Sequence, residues 1–363
     1  MFAFPSTSLA KKDTMTIPRK PVLGASVLVA VALALACSER PNPVAPAFWT
    51  SESPATHAMS YSGRATVVQA TVLGVSTKLG DTGPLPSSGG AEEASLLNAS
   101  VPDLLTAEVV HATTVGQGNA SRSEASVANL TLTVAGNTIS AGFLESRATA
   151  MCTDNGATAS GSSEIATLIV NNQTVTVSSE PNQKISLLGG AVLIINEQTS
   201  DRPGDITVNA LHVKVDDITD VVISSAHADI TCEAGPPPAG CSGGDFVTGG
   251  GWITPSGAKA NFGVAGGFKQ GTFWGHLVYN DHGPNGPQVK GTGVTAYSVT
   301  DAVTRHIEGT AEINGQGGFT YKVDVSDNGE PGRNDYFALS LSNGYGAKGS
   351  LDGGNIQLHA PCQ

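Results

Sequence analysis

The chain has 363 residues, enough for about two domains, and a formal net charge of −12 at pH 7. Charged residues make up only 14% of it and aromatic residues 5%, whereas glycine occurs 44 times. This composition excludes a protein of long amphipathic helices and favours short strands joined by many turns. The negative charge disfavours nucleic acid as a partner, because two polyanionic surfaces repel each other.

Residues 1–36 have the pattern of a signal peptide. Arg19 and Lys20 precede an apolar run from Val22 to Ala36, which is too short to span a bilayer comfortably. The segment before this run is longer than a usual charged region. Translation from Met15 would give a more compact signal, so the start codon stays open between Met1 and Met15.

The apolar run ends at Cys37, which offers two ways of processing. The preceding Ala34-Leu35-Ala36 satisfies the small-x-small rule of ordinary signal peptidase. With Cys37 it also resembles a bacterial lipoprotein box, although the box prefers a large aliphatic residue in place of Ala34. A Pro- and Ser-rich tether follows over 37–57. We therefore expect a lipid on Cys37 that anchors the exported protein in the membrane, at the cell surface or outer membrane of a bacterium; secretion after simple cleavage is the alternative.

Residues 58–233 show apolar residues at every second position, which indicates β-strands. Leu130, Leu132 and Val134 alternate with threonines, and Asn171-Asn172 separates two such runs as a hairpin turn. Residues 91–97 are ambiguous between a strand and two turns of helix. The pattern predicts an antiparallel β-sandwich, with a barrel or a β-solenoid as the alternatives.

The same region is similar to the bacterial choice-of-anchor surface-protein module, and most similar to its type P. The resemblance covers nearly all of 58–233 and is carried by residues 63–68, 85–90, 126–130, 160–165 and 227–232. It implies secretion and display at the cell surface, and it implies no known activity.

Residues 242–363 are rich in glycine and form a second predicted β domain. Apolar alternation over 307–313 and 319–325 flanks the turn at 314–318, which predicts a hairpin. Its opening at 247–253 and its ending at 353–356 resemble the domain that often follows choice-of-anchor modules. The predicted fold is therefore all-β, with two tandem antiparallel sandwich-like domains joined by a Pro-rich segment at 234–241.

Four cysteines remain beside Cys37, and an exported protein meets an oxidising environment in which they can form bridges. Domain autonomy favours the pairs Cys152–Cys232 and Cys241–Cys362, each inside one domain. The rival pairing joins Cys232 to Cys241 and Cys152 to Cys362, which would tie the two domains together.

Two weak ligand sites stand out in the second domain. The first is an oxygen-rich loop suited to calcium, although it also fits a solvated turn; its candidate ligands are Asp324, Asp327, Asn328, Glu330 and Asp335. The second is a sugar-stacking platform, although aromatic residues in a small sandwich also fit its core; its candidate residues are Trp252, Trp274 and Tyr279. No cofactor other than calcium is indicated.

No catalytic motif has a credible context. Residues 240–244 fit G-x-S-x-G, but that motif requires a strand-to-helix turn and here it follows prolines. The histidines His111, His212 and His227 lack zinc-site spacing and are expected to be hydrogen-bonded at the surface. The sequence thus predicts a surface protein with a structural or adhesion-type role. The alternatives are a carbohydrate- or calcium-dependent binding module and a secreted hydrolase with an unrecognised site.

Overall fold

A computed structural model describes residues 59–216, 218–232, 244–269 and 271–360. All of them belong to one compact unit, Ala55–Gln363. The predicted signal peptide, the tether with Cys37, the Pro-rich segment at 234–241, Cys241 and Cys362 lie outside the described residues. The described residues lie almost entirely in antiparallel strands, which confirms the all-β prediction.

Residues 60–231 form thirteen strands in two sheets. The strands are β1 (Ser60–Val72), β2 (Val75–Asp81), β3 (Gly90–Val101), β4 (Leu105–Gln117), β5 (Ala120–Val134), β6 (Asn137–Thr153), β7 (Gly156–Ala166), β8 (Ile169–Val170), β9 (Gln173–Thr174), β10 (Gln183–Ser186), β11 (Val192–Thr199), β12 (Asp205–Val215) and β13 (Thr219–Thr231). The outer sheet has the order β10-β11-β12-β13-β1-β2. The middle sheet has the order β3-β4-β5-β6-β8-β9, with β7 paired to β6.

The outer and middle sheets pack face to face around an aliphatic core. Leu132 and Ile139 of the middle sheet are fully buried together with Val67, Leu193 and Val213 of the outer sheet. Alternation places these side chains on the inner faces, because successive residues of a strand point to opposite sides. This pair of sheets is the sandwich expected from the first half of the sequence.

The helical alternative for residues 91–97 is wrong, because this segment lies within strand β3. β3 pairs with β4 along its length, from Gly90 opposite Gly116 to Val101 opposite Leu105. The pairing satisfies the backbone of both strands, and Ala91 packs with Val115. Two turns of helix would leave one edge of β4 without these partners.

Residues 246–359 form a single sheet of nine strands that curls around its own core. The strands are β14 (Phe246–Ile253), β15 (Ala260–Lys269), β16 (Thr272–Asp281), β17 (Gln288–Val299), β18 (Thr304–Ile313), β19 (Gln316–Ser326), β20 (Tyr336–Leu341), β21 (Gly346–Ser350) and β22 (Gly353–His359). The order in this curled sheet is β21-β20-β19-β18-β17-β16-β15-β14-β22. The predicted hairpin is confirmed as β18–β19. In the described ranges, no helix has the length and apolar character needed to cross a membrane.

One disulfide joins the two sheets of the first half. Cys152 near the end of β6 is bonded to Cys232 just after β13, with 5.7 Å between their Cα atoms. This confirms the predicted pair Cys152–Cys232 and excludes Cys232 as a partner of Cys241. The bridge lies where Ile206, Val208 and Ile230 pack between the sheets.

The middle sheet is covered on both faces, because the curled sheet packs on the side away from the outer sheet. Glycines on β14 and β15 allow this close approach. A Cβ atom at Gly250 would lie 2.3 Å from Ser126 Oγ, and one at Gly263 would lie 2.6 Å from His111 Cβ. Part of the high glycine content is thus required by the packing of one sheet on another.

Candidate functional site

Polar and charged side chains cross the covered face of the middle sheet in rows. Residues paired across neighbouring strands lie side by side, and every second residue of a strand shares the same face. Three consecutive rows run from β4 to β7: Val115–Arg122–Thr149–Ser160, Thr113–Glu124–Arg147–Ser162 and His111–Ser126–Glu145–Glu164. This face meets the glycines of the curled sheet, so charged groups are buried between two layers.

A cavity of about 580 Å³ opens over these rows, and we call it the polar cleft. Its wall comes from β5, β6 and β7 on one side, and from β22 and the loop between β19 and β20 on the other. The residues that matter here are Arg122, Glu124, Arg147, Ser162, Glu330 and Gln357. Both the first and the second half of the chain therefore contribute charged groups to one site.

Burial raises the pKa of two carboxyl groups of this region. Glu124 is 6% exposed, and burial raises its pKa to about 7 although Arg147 opposes the shift. Burial raises the pKa of the enclosed Glu145 well above its usual value, again against Arg147. The nearby carboxylates raise the pKa of Arg147, which stays charged. Near neutral pH the pair Glu124–Glu145 therefore holds at least one proton.

Several polar atoms in and beside the polar cleft have no hydrogen-bond partner among the described residues. They are Glu124 Oε1, both carboxyl oxygens of Glu145, Arg147 Nη1 and Asn355 Oδ1. Arg147 Nη1 lies 3.5 Å from one oxygen each of Glu145 and Glu330, which is too far for a good hydrogen bond. Each such buried group costs about 1–3 kcal/mol unless something pairs with it.

A second cavity, of about 410 Å³, lies at another part of the same interface, and we call it the aromatic cavity. Its wall includes four aromatic rings, one lysine and one amide: Tyr61, Phe246, Phe268, Trp274, Lys269 and Gln117. The backbone of Gly116 and Gly118 completes one side. A Cβ atom at Gly116 would lie 2.7 Å from the ring of Tyr61, so the ring fits here because residue 116 is a glycine.

The polar groups of the aromatic cavity differ in whether they have hydrogen-bond partners. Lys269 Nζ donates to the carbonyl oxygen of Ala91 and to Glu92 Oε1 at 3.0 Å, and it lies 6.0 Å from the ring of Trp274. Gln117 Nε2 is buried and has no acceptor among the described residues. The cavity therefore combines apolar ring faces with one unused donor, which is the usual make-up of a small-molecule site.

The three aromatic residues predicted as a platform are not brought together. Trp274 lines the aromatic cavity. Trp252 packs instead on Phe143, with 4.8 Å between ring centroids, and the Lys259 ammonium group lies 4.5 Å from its ring. Tyr279 is fully buried in the core of the curled sheet. Only Trp274 is thus placed to contact a ligand in that cavity.

The residues predicted to bind calcium do not all converge on one point. Asp324 Oδ1 on β19 accepts a hydrogen bond from His306 Nδ1 at 2.7 Å. Glu330 Oε2 lies 3.5 Å from Arg147 Nη1 in the polar cleft. Among the described residues, no three His, Cys, Asp or Glu side chains are arranged to hold a metal ion. The geometry gives the calcium hypothesis no support.

The remaining calcium candidates hold their own loop against β22. Asp327 Oδ2 accepts a hydrogen bond from the backbone N–H of Leu358 at 2.8 Å. Asp335 accepts two, from the N–H groups of Asn328 and Ile356, both at 2.8 Å. Burial raises the pKa of Asp335 to about 6 despite these bonds. The carboxylates therefore have a structural task that the sequence pattern did not reveal.

Two of the three histidines, His111 and His212, are buried and do not lie at the surface. His111 is fully buried beneath the curled sheet, where its Nδ1 lies 2.8 Å from Ser95 Oγ, and burial lowers its pKa to about 3. The expectation of a surface position was wrong for His111, because the second layer over the middle sheet was not foreseen. The expectation of a surface position was wrong for His212 as well, which is buried and hydrogen-bonded to Glu197 and Asp220.

The sequence pattern did not single out the charged residues that the middle sheet contributes to the polar cleft. A signal was present, because Arg122 and Glu124, and likewise Glu145 and Arg147, occupy alternate positions inside long apolar strands. Such spacing puts the charges on one face. It does not reveal whether water or another sheet covers that face.

Comparisons with known proteins do not assign this chain to a family. No protein-family profile matches the chain, and no curated protein matches it. A crystal structure described as a putative AttH from Nitrosomonas europaea is similar over 82% of this chain and 92% of that chain, with 8% sequence identity and a TM-score of 0.17. A TM-score this low carries no argument, so function is argued from the geometry alone.

Proposed function

We propose that this chain is an exported, lipid-anchored bacterial surface protein with an adhesion-type, non-catalytic role, and that it binds a carbohydrate in the aromatic cavity. The observation that carries the binding role is the cavity itself. Rings of Tyr61, Phe246 and Trp274 face a space of about 410 Å³, beside the unpartnered amide of Gln117. This volume is within the usual range of about 300–1,000 Å³ for small-molecule sites.

The chemistry of the aromatic cavity suits a sugar ring. One face of a pyranose presents C–H groups, which pack on an aromatic ring such as Trp274. Its hydroxyl oxygens can accept a hydrogen bond from the free N–H of Gln117, which lines the cavity. A purely apolar ligand would leave the Gln117 donor unpaired, which disfavours it.

Export and anchoring are supported by the sequence. The apolar run to Ala36 and the box around Cys37 fit a lipoprotein signal, and the resemblance to choice-of-anchor modules fits surface display. The bond between Cys152 and Cys232 suits an oxidising compartment, because cytosolic proteins rarely keep structural disulfides. The proposed contact with the membrane is through the lipid on Cys37.

A glycan array with the chain lacking its signal peptide tests the binding role. We expect reproducible binding of at least one glycan and a loss of at least about tenfold in Trp274→Ala, because the stacking surface is removed. Phe273→Ala is the matched control, since Phe273 is the neighbouring aromatic residue on β16 and does not line the cavity. Absence of glycan binding, or equal binding by Trp274→Ala with an unchanged melting temperature, contradicts the proposal.

A further inference from the structure

The polar cleft presents cationic groups that lack a hydrogen-bonded acceptor among the described residues, although carboxyl groups lie near them. Arg122 lines the cleft, and the carboxylates of Glu330 and Asp327 are the charges that act on it. In Arg147, Nη1 lacks a hydrogen-bonded acceptor. A guanidinium binds a carboxylate through two parallel N–H bonds, so these groups are suited to one end of an anionic or zwitterionic ligand.

The same cleft presents two buried acceptors that have no hydrogen-bond donor among the described residues. Glu124 is nine-tenths buried, lines the cleft and has an unpartnered Oε1. Asn355 Oδ1 is buried beside it and also lacks a donor. Glu330 lines the cleft opposite Glu124, and 57% of its side chain is exposed. Its Oε1 accepts a hydrogen bond from Asn355 Nδ2 at 3.1 Å, and its Oε2 lies 3.5 Å from Arg147 Nη1. An ammonium group, with three N–H donors, matches such a set of oxygens.

The mixture of charges restricts the ligand class. A simple anion would lie beside the carboxyl groups of Glu124 and Glu330, which disfavour it. A metal ion would lie beside two guanidinium groups, which repel it. Among the described residues that line the cleft there is no aromatic ring, so they offer no stacking surface like that of the aromatic cavity. A molecule that carries both a carboxylate and an ammonium group can pair with both sets at once and adds no net charge.

We propose that the polar cleft binds a small zwitterion, a free amino acid or a short peptide. The carboxylate lies on Arg122 and Arg147, and the ammonium group lies between Glu124 and Glu330. Ser162 and Gln357, which also line the cleft, are available to the rest of the ligand. The cavity of about 580 Å³ has room for an amino acid or a dipeptide. This site is independent of the carbohydrate site and goes beyond the proposed function.

The first experiment uses the full chain without its signal peptide and measures its thermal unfolding with each of the common amino acids and with simple dipeptides. Binding to the folded state raises the melting temperature. We expect a rise of about 2 °C or more for at least one zwitterion at saturation. The N-acetylated and C-amidated forms of the same compound, which each lack one charge, should bind at least about tenfold more weakly by calorimetry.

The second experiment uses variants. Arg122→Gln and Glu330→Gln should each weaken binding at least about tenfold, because each removes one charged partner of the ligand. Arg202→Gln is the control, since Arg202 is a surface arginine outside the cleft. If Arg122→Gln fails to fold, the test rests on Glu330→Gln, because the side chain of Glu330 is exposed. Glycan binding should persist in both variants, which separates this site from the aromatic cavity.

Three results would overturn the proposal. The first is that no amino acid or dipeptide raises the melting temperature. The second is that the acetylated and amidated forms bind as tightly as the parent compound. The third is that a folded Glu330→Gln or Arg122→Gln protein binds like the wild type.

Discussion

Glu124 and Arg147 lie opposite each other in neighbouring strands, yet they do not behave as a surface ion pair. A surface pair would keep both charges and contribute little to stability. Here the curled sheet removes water, burial raises the pKa of Glu124, and Arg147 offsets only part of that effect. The protein therefore keeps a titratable proton between two layers, in the pH range where many bacteria live.

Replacement of Glu124 by Gln should change how stability depends on pH. The pKa of Glu124 is about 7 in the folded protein and near its ordinary value of 4.5 when unfolded. Below pH 4.5 both states are protonated; between pH 4.5 and 7 the folded state binds more protons, so stability falls as the pH rises. The loss amounts to at most about 3 kcal/mol. Glu124→Gln should remove this part of the slope.

The measurement is urea unfolding of wild type, Glu124→Gln and Glu180→Gln between pH 4.5 and 8. Glu180 is exposed, so its replacement should leave the wild-type slope intact. Because Asp335 also has a raised pKa and contributes a slope of the same sign, the difference between wild type and Glu124→Gln is the relevant quantity. Parallel curves for those two proteins would contradict the assignment.

At the scale of strands, the glycines of β14 and β15 decide how closely two sheets approach. Gly263 faces His111, and Gly250 faces Ser126, at distances that leave no room for a methyl group. Side chains there would separate the curled sheet from the middle sheet and admit water to the charged rows. The glycine-rich opening of the second half is therefore a packing surface as well as a strand.

Gly263→Ala should lower the melting temperature, because its new Cβ would overlap His111. Overpacking of this kind costs about 1–3 kcal/mol, or several degrees in a chain of this size. Gly293→Ala on β17 is the control, since the only atom near its Cβ would be Thr310 Oγ1 at 3.6 Å. Thermal unfolding of both variants checks this; an equal effect of the two would show that close approach at Gly263 is not required.

Strand alternation accounts for what the sequence predicted well, and its limits explain what was missed. Period-two patterns and the Asn314-Gly315 turn predicted the β18–β19 hairpin. In β16 the same alternation puts Trp274 and Tyr279 on opposite faces, so they do not share one platform. Alternation does not say what covers a face. The burial of Glu145 depends on a strand more than a hundred residues later in the chain. The local sequence pattern around Glu145 carries no information about that strand.

At the scale of the whole molecule, three layers of sheet place both cavities at the meeting of the two halves. The aromatic cavity and the polar cleft each take wall residues from before and after the Pro-rich segment. Neither half alone has a complete site. Binding at either cavity should therefore favour the packed arrangement of the halves, because the ligand contacts both.

The proposed anchor is testable without knowledge of any ligand. When the full chain is expressed in a bacterium that processes lipoproteins, we expect incorporation of radiolabelled palmitate, because Cys37 follows a lipoprotein-like box. Cys37→Ser should abolish the label, while Cys152→Ser should keep it. A wild type without label, or equal label on Cys37→Ser, would rule out the lipid anchor.

The position of β1 has a mechanical consequence under this proposal. β1 begins at Ser60, is the first strand after the predicted tether, and lies between β13 and β2 with hydrogen bonds to both. A pull from the membrane would act along β1, at right angles to those hydrogen bonds. The bonds would then be sheared together and not opened one after another. The sheet order thus gives an anchored protein resistance to force at the strand where that force would enter.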